Sequence, residues 1–331
     1  MSGATLAEEL AARLGPRHPV AAVATVSPAG TSVASVGASA DADFEIGSIS
    51  KGITGLLHAD ARVRGEVGPS TTLGDLLPLD GTPVAEVTLS SVTTHRSGLP
   101  SLPAAASTLR KSLALWLHGT NPYGETLDQL LTQARGVRPG PPRPRYSNLG
   151  FQLLGHALAS AAGTTFRDLL RDRIATPLGL DVCYAPAAPT DLRASALTGT
   201  TRWGRKRQPW TGEALAPAGG IRARIDDMAR LATALLDGSA PGITALDPVE
   251  NFTGRVVRIG AAWITLERNG RAITWHNGGT GGFRSWLGLD RAAGTAVVLL
   301  SATAIPVDRH GFALLDQLTE SEGRGPSNAA R

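Results

Sequence analysis

Short runs rich in β-branched residues stand near both ends of this chain, and the long middle is built differently. Residues 20–27 and 31–36 are two such runs, separated by Pro28-Ala29-Gly30, a composition suited to a hairpin turn. Residues 255–267, 271–276, 283–290 and 295–302 are four more, with Asn269-Gly270, a strong hairpin signal, between the first two. Residues 66–250 hold most of the prolines and show helical patterns near 107–118, 126–135, 149–161, 165–175 and 225–237. A further helix is expected over 308–319. An isolated hairpin is marginal in water, so the two groups of strands need each other. The economical assembly is an α/β (α+β) fold: one antiparallel sheet drawn from both chain ends, flanked by helices, with a mainly helical lobe inserted. The expected organisation is a sheet subdomain of residues 1–65 and 251–320, a helical subdomain of 66–250, and a flexible tail over 321–331.

The bulk properties narrow the function classes. At 331 residues and 42% hydrophobic content the chain is able to bury a sizeable core. Of its 32 basic residues 29 are arginines, scattered and without a nucleic-acid motif, so the net charge of +4 implies no nucleic-acid partner. Cys183 is the sole cysteine, which excludes an intrachain disulfide and a cysteine zinc site; it reads as a small apolar residue. No metal or organic cofactor is implied. Leu6, Leu10 and Leu14 recur every four residues while Glu8 and Glu9 interrupt the apolar run, which predicts an amphipathic helix and not a signal peptide. No segment approaches ~20 apolar residues, so no membrane span and a cytoplasmic location are expected.

Three motifs carry chemistry. In Phe44-Glu45-Ile46-Gly47-Ser48-Ile49-Ser50-Lys51, Ser48 and Lys51 are three positions apart, which on a helix is one face. A helix starting near Ser48 would put its free N–H groups beside the hydroxyl, an arrangement for activating a serine and holding an oxyanion. The same residues would also serve as an N-cap and a solvated lysine. Tyr146-Ser147-Asn148 precedes the helix expected from about 149; a tyrosine near a positive charge is able to take a proton, and Asn148 has an amide to donate. A capped turn would use the same residues. His276-Asn277-Gly278-Gly279 ends one strand, and its glycines permit close backbone approach to a ligand. It lacks the Lys-Ser/Thr ending and following helix of a phosphate loop. A plain glycine-rich hairpin remains open for it.

Taken in order, Ser-x-x-Lys, Tyr-x-Asn and His-x-Gly resemble the serine β-lactamase-like, or penicillin-recognising, superfamily, in its branch of class C β-lactamases, D-alanyl-D-alanine carboxypeptidases and esterases. Thr94-His95-Arg96-Ser97-Gly98-Leu99-Pro100 and Pro217-Ala218-Gly219-Gly220-Ile221 also look like segments of that family. The resemblance implies a β-lactamase/transpeptidase-like fold, with Ser48 as a nucleophile that forms an acyl-enzyme. It implies Lys51 and Tyr146 as the groups that take and return its proton, and the N–H groups of Ser48 and Gly279 as the oxyanion hole. Asn148, His276, Asn277 and Gly278 would meet substrate. Many β-lactamases carry lysine where this chain has His276, so an anionic substrate is not obligatory; Arg284 would restore a positive charge. Trp203 and Trp210 are candidates for an acyl pocket or for packing.

The expected partner is a small-molecule ester, amide or short peptide, and the leading expectation a cytoplasmic esterase-type serine hydrolase. A β-lactamase, D-Ala-D-Ala carboxypeptidase or D-aminopeptidase, and an acyltransferase, stand as alternatives. A silent ligand-binding or sensor domain is the non-enzyme alternative. Oligomeric state is not legible.

Overall fold

A computed structural model describes residues 3–101, 121, 125–254 and 256–323. The helix expected near 107–118 lies outside the described residues, as does most of the tail.

The chain opens with α1 (Gly3–Leu14), then the hairpin β1 (Ala21–Ser27) and β2 (Gly30–Val36), short β3 (Asp43–Glu45) and α2 (Ile49–Val63). The middle contains α3 (Leu89–Thr93), α4 (Leu127–Arg135), α5 (Asn148–Ala161), α6 (Phe166–Leu170, continued by a π turn), β4 (Cys183–Tyr184), α7 (Ala216–Gly219), β5 (Arg222–Arg224) and α8 (Ile225–Asp237). The end supplies β6 (Glu250–Thr253), β7 (Val257–Ile259), β8 (Ile264–Arg268), β9 (Arg271–Gly279), β10 (Arg284–Asp290), β11 (Thr295–Ser301) and α9 (Asp308–Gly323).

The two chain ends meet as expected. One eight-stranded sheet runs β2-β1-β11-β10-β9-β8-β7-β6, antiparallel throughout, with Ala21 opposite Ser301 and Val26 opposite Ala296 at the junction. Every residue of β11 is buried, because its alternating side chains feed two cores. Val297 and Leu299 pack with Leu6, Leu10 and Leu14 of α1 and Leu314 and Leu315 of α9. Val298 and Leu300 face the other way, into the core shared with α2 and α8. Turn chemistry fixes the register. Asn269 and Gly270 both have positive φ, as a two-residue primed turn requires, and Arg268 pairs with Arg271 across them.

Two expectations are corrected. The run 255–267 is not one strand. It breaks between β7 and β8, where Ala262 takes a φ of +69° and donates its N–H to the Thr93 carbonyl at 2.9 Å. The break turns Trp263 out of the sheet and against α2, where its indole N–H donates to the Gly52 carbonyl at 3.2 Å. Gly52 is required there, since an added Cβ would lie 2.8 Å from the Trp263 ring. The other correction is a second sheet, β3-β5-β4, which hydrophobic patterning does not reveal. Its strands have two or three residues and carry buried charge: Arg222 is held between Asp43 and Glu45, with no exposed surface on Arg222 or Asp43. This triad anchors β3, three residues ahead of Ser48.

Candidate active site

The first turn of α2 sets the geometry. Ser48 is its N-cap, and the intervening residues bring Lys51 back over it, so that the amine lies 3.2 Å from the Ser48 hydroxyl oxygen. The Lys51 side chain is wholly buried. It donates a second hydrogen bond to the Ala218 carbonyl in α7, and no carboxylate among the described residues pairs with it. Burial in a low-dielectric site disfavours the ammonium and pushes the Lys51 amine down to about 7. Near neutral pH much of it is therefore a free base. With a lone pair available, the contact with Ser48 reverses, and the hydroxyl becomes the donor.

Above the amine sits the ring of Tyr146, its centroid 4.8 Å away, with Phe151 at 6.0 Å. Tyr146 is about one-third exposed. It arrives on the proline-rich strap 136–145, which has no regular secondary structure and is stitched to the 95–98 turn by Gly140 N–H to Gly98 O and Arg145 N–H to His95 O, at 2.9 and 2.8 Å. Ser147 caps α5, accepting from Gly150 N–H at 2.9 Å. Asn148 occupies the first turn, half-buried, with no side-chain hydrogen bond among the described residues.

The opposite wall is β9, and there the approach is backbone to backbone. Gly47 has a φ of +53°, and an added Cβ would stand 2.5 Å from the Gly279 nitrogen. A Cβ on Gly278 would meet the Ile46 carbonyl oxygen at 2.0 Å. The Gly279 amide is thus pressed against the residue that precedes Ser48. Ser285, the partner of Gly278 across β10, donates to that same Ile46 carbonyl at 2.7 Å.

A pocket of about 440 Å³ opens at this junction, lined among others by Ser48, Trp210, Gly278, Gly279, Arg284 and Asp308. Asn277 lines it too, and its amide donates to Asp308 at 2.6 Å. Arg284 reaches the pocket with its guanidinium donating to the carbonyls of Thr280 and Phe283, both at 2.8 Å, and forms no ion pair among the described residues. Tyr146, Asn148 and His276 are not among the lining residues. Trp210 belongs to the pocket, whereas Trp203 stands two-thirds exposed elsewhere. A larger cavity, of about 630 Å³, lies at the far end of α2 and does not include Ser48. Cys183 is buried, and burial pushes its thiol up to about 12, so it offers no thiolate.

Two buried histidines flank Lys51 with opposite tautomers. His276 donates its Nδ1 hydrogen to the Asn277 carbonyl at 2.6 Å, which leaves Nε2 as a buried, unpartnered acceptor. Burial holds His276 down to about 4. His95 does the reverse: Nδ1 accepts from the Ser147 N–H at 3.3 Å, so Nε2 carries the hydrogen. It too is buried without a partner, and desolvation keeps its pKa well below the ordinary value. The His95 ring lies 4.5 Å from Tyr146 and 4.9 Å from Phe151, and its φ of +55° is unusual for a residue with a side chain. Sequence reasoning gave His95 no part in the site; its signals were a histidine inside a turn cluster and the family resemblance of the 94–100 segment.

A family model described as Beta-lactamase matches residues 7–319. This chain belongs to the beta-lactamase family. Membership makes it a serine hydrolase-type β-lactamase fold. The chain is 26% identical to an unguisins hydrolase of Aspergillus campestris over 71% of its own length and 46% of that protein's. To the D-alanyl-D-alanine-carboxypeptidase/endopeptidase AmpH of Escherichia coli it is 26% identical over 75% and 66%. It thus spans about half the length of the first of these relatives. The fold matches that of a class C beta lactamase from Rhodobacter sphaeroides, with a TM-score of 0.77 at 22% identity over 96% of this chain and 99% of that one. It also matches an octameric penicillin-binding protein homologue from Pyrococcus abyssi, with a TM-score of 0.82 at 18% identity over 97% and 78%. Among the described residues no cluster of His, Cys, Asp or Glu suits a metal ion, and no helix is long and apolar enough to cross a membrane.

Proposed function

We propose that this protein hydrolyses a small ester or amide through an acyl-enzyme on Ser48, as an esterase-type enzyme of the cytoplasm. The observation that carries this reading is the Lys51 amine, buried without a counter-ion among the described residues, 3.2 Å from the Ser48 oxygen and pushed down by burial to about 7. As the neutral amine it takes the Ser48 proton while the Ser48 oxygen bonds to the acyl carbon. The Ala218 carbonyl holds one amine hydrogen, which aims the lone pair at Ser48. The bond to the leaving group then breaks, and Lys51 with Tyr146 returns the proton to it. Water repeats the sequence to free the acid. Ser48 and Gly279 N–H groups receive the oxyanion. Asn148 orients the substrate, Asn277 and Gly278 form the wall against which it rests, and His276 stands buried behind that wall.

A fluorophosphonate probe and a short p-nitrophenyl ester test the reading. The wild type should label on Ser48 and turn the ester over, and Ser48→Ala should do neither. Equal behaviour of the two proteins sinks the enzyme reading and leaves a ligand-binding domain. The pH profile is a sharper check. Since the base must be neutral, the acylation rate should rise with pH through about 7 and then level off.

Arg284 favours a second reading. A cation in the pocket with no ion-paired carboxylate among the described residues suits an anionic substrate, as a β-lactamase or D-peptidase would have. The AmpH relative points the same way. Nitrocefin or a D-alanyl-D-alanine peptide turned over faster than the ester, with the advantage lost in Arg284→Gln, would promote it. Release of an acyl-acceptor adduct in place of free acid would make the enzyme a transferase.

A further inference from the structure

The cavity of about 630 Å³ at the far end of α2 has no part in the chemistry above. His58 lines it, seven residues beyond Lys51 on the same helical face and ~10 Å along the axis. Neither ring nitrogen of His58 has a hydrogen-bond partner among the described residues, and Nε2 is fully buried. Burial and nearby Arg62 hold this imidazole down to about 4, so it is neutral at physiological pH.

The rim sorts by charge. Glu250 is paired with Arg96 at 3.3 Å, and Asp247 with Arg291 at 2.9 Å. Arg62 lines the same cavity and makes no hydrogen bond or ion pair with its guanidinium among the described residues. It is the cation left over once the acids are matched. Val63 and Val249 also line the cavity and are 80% and 69% exposed, two of the most exposed large apolar side chains described. A cleft with bare apolar residues, a neutral polar group without a partner and one uncompensated cation at its rim has a defined complement.

We propose that this cavity binds a small amphipathic carboxylate, an apolar chain or ring ending in one anionic group. The apolar body covers Val63 and Val249, the carboxylate meets Arg62, and His58 supplies a hydrogen bond. The site is separate from the Ser48 pocket and does not depend on what Ser48 does.

Octanoate is the probe, with octanol as its uncharged match, titrated calorimetrically into the full chain. Octanoate should bind saturably with a Kd below about 1 mM, and octanol at least ~10-fold more weakly. Arg62→Gln should weaken octanoate ~10-fold and leave octanol unchanged, and Arg62→Lys should restore most of the loss. Arg62 is exposed, so neither variant threatens folding. Arg284→Gln, in the Ser48 pocket, should leave octanoate affinity as it was. The proposal is overturned by an absence of saturable binding, by equal affinity for acid and alcohol, by indifference to Arg62→Gln, or by loss in Arg284→Gln, which would move the ligand to the Ser48 pocket.

Discussion

The two walls around Lys51 are built on different principles. The β9 wall is backbone against backbone: at Gly47 and Gly278 a methyl group would collide with the facing main chain. The loop wall is side chain against side chain: the Tyr146 and Phe151 rings lie over the amine, and His95 packs against both. A backbone contact tolerates no substitution and fixes where an N–H points. An aromatic contact adjusts, and what it controls is how much water reaches the amine. The first wall should set the amplitude of catalysis and the second its pH dependence.

The triad that anchors β3, where the chain leads into Gly47 and the β9 wall, gives the largest expected effect. Removing the buried cation in Arg222→Met strands Asp43 and Glu45 and should cost about 3–5 kcal/mol of stability, read from denaturant unfolding. Gly278→Ala should cut ester turnover by ~10²–10³-fold, the worth of one oxyanion donor, with the midpoint of the pH–rate profile unmoved. A shifted midpoint would mean that the walls are not separable. His276 next tests the wall's acid tolerance. The unfolded chain binds its proton near pH 6.5 and the folded protein only near 4, so stability should fall as pH drops through that window. The loss should be about 1–3 kcal/mol and smaller in His276→Gln. The smallest effect belongs to the loop wall. His95→Ala opens space beside Tyr146 and admits water, so the Lys51 midpoint should climb by about a unit with a ~5-fold loss of rate near pH 7. An unchanged midpoint would deny His95 this influence.

Legibility in the sequence follows the same division. The sheet from both chain ends could be read because its strands are short runs rich in β-branched and apolar residues and one of its turns carries Asn269-Gly270. Ser48 and Lys51 could be paired because helix geometry alone brings positions three apart together. The β3-β5-β4 sheet could not, since Asp43, Glu45 and Arg222 look like solvent-facing charges until each is seen to bury the others. His95 was hidden for another reason. Its role rests on a positive φ and on a strap that arrives fifty residues later, neither of which has a local signature. The break before Trp263 was likewise invisible, because an alanine at φ +69° is dictated by Thr93, far away in the chain.

The sheet that joins first strand to last has a temporal consequence. During synthesis Ser48 and Lys51 leave the ribosome long before Gly279 and the strands of the closing sheet. Until those later residues arrive, the lysine is hydrated, keeps its proton and cannot serve as a base. On the proposed mechanism the nascent polypeptide would carry Ser48 in a harmless form, and reactivity would switch on only when the last strand has been laid beside the first.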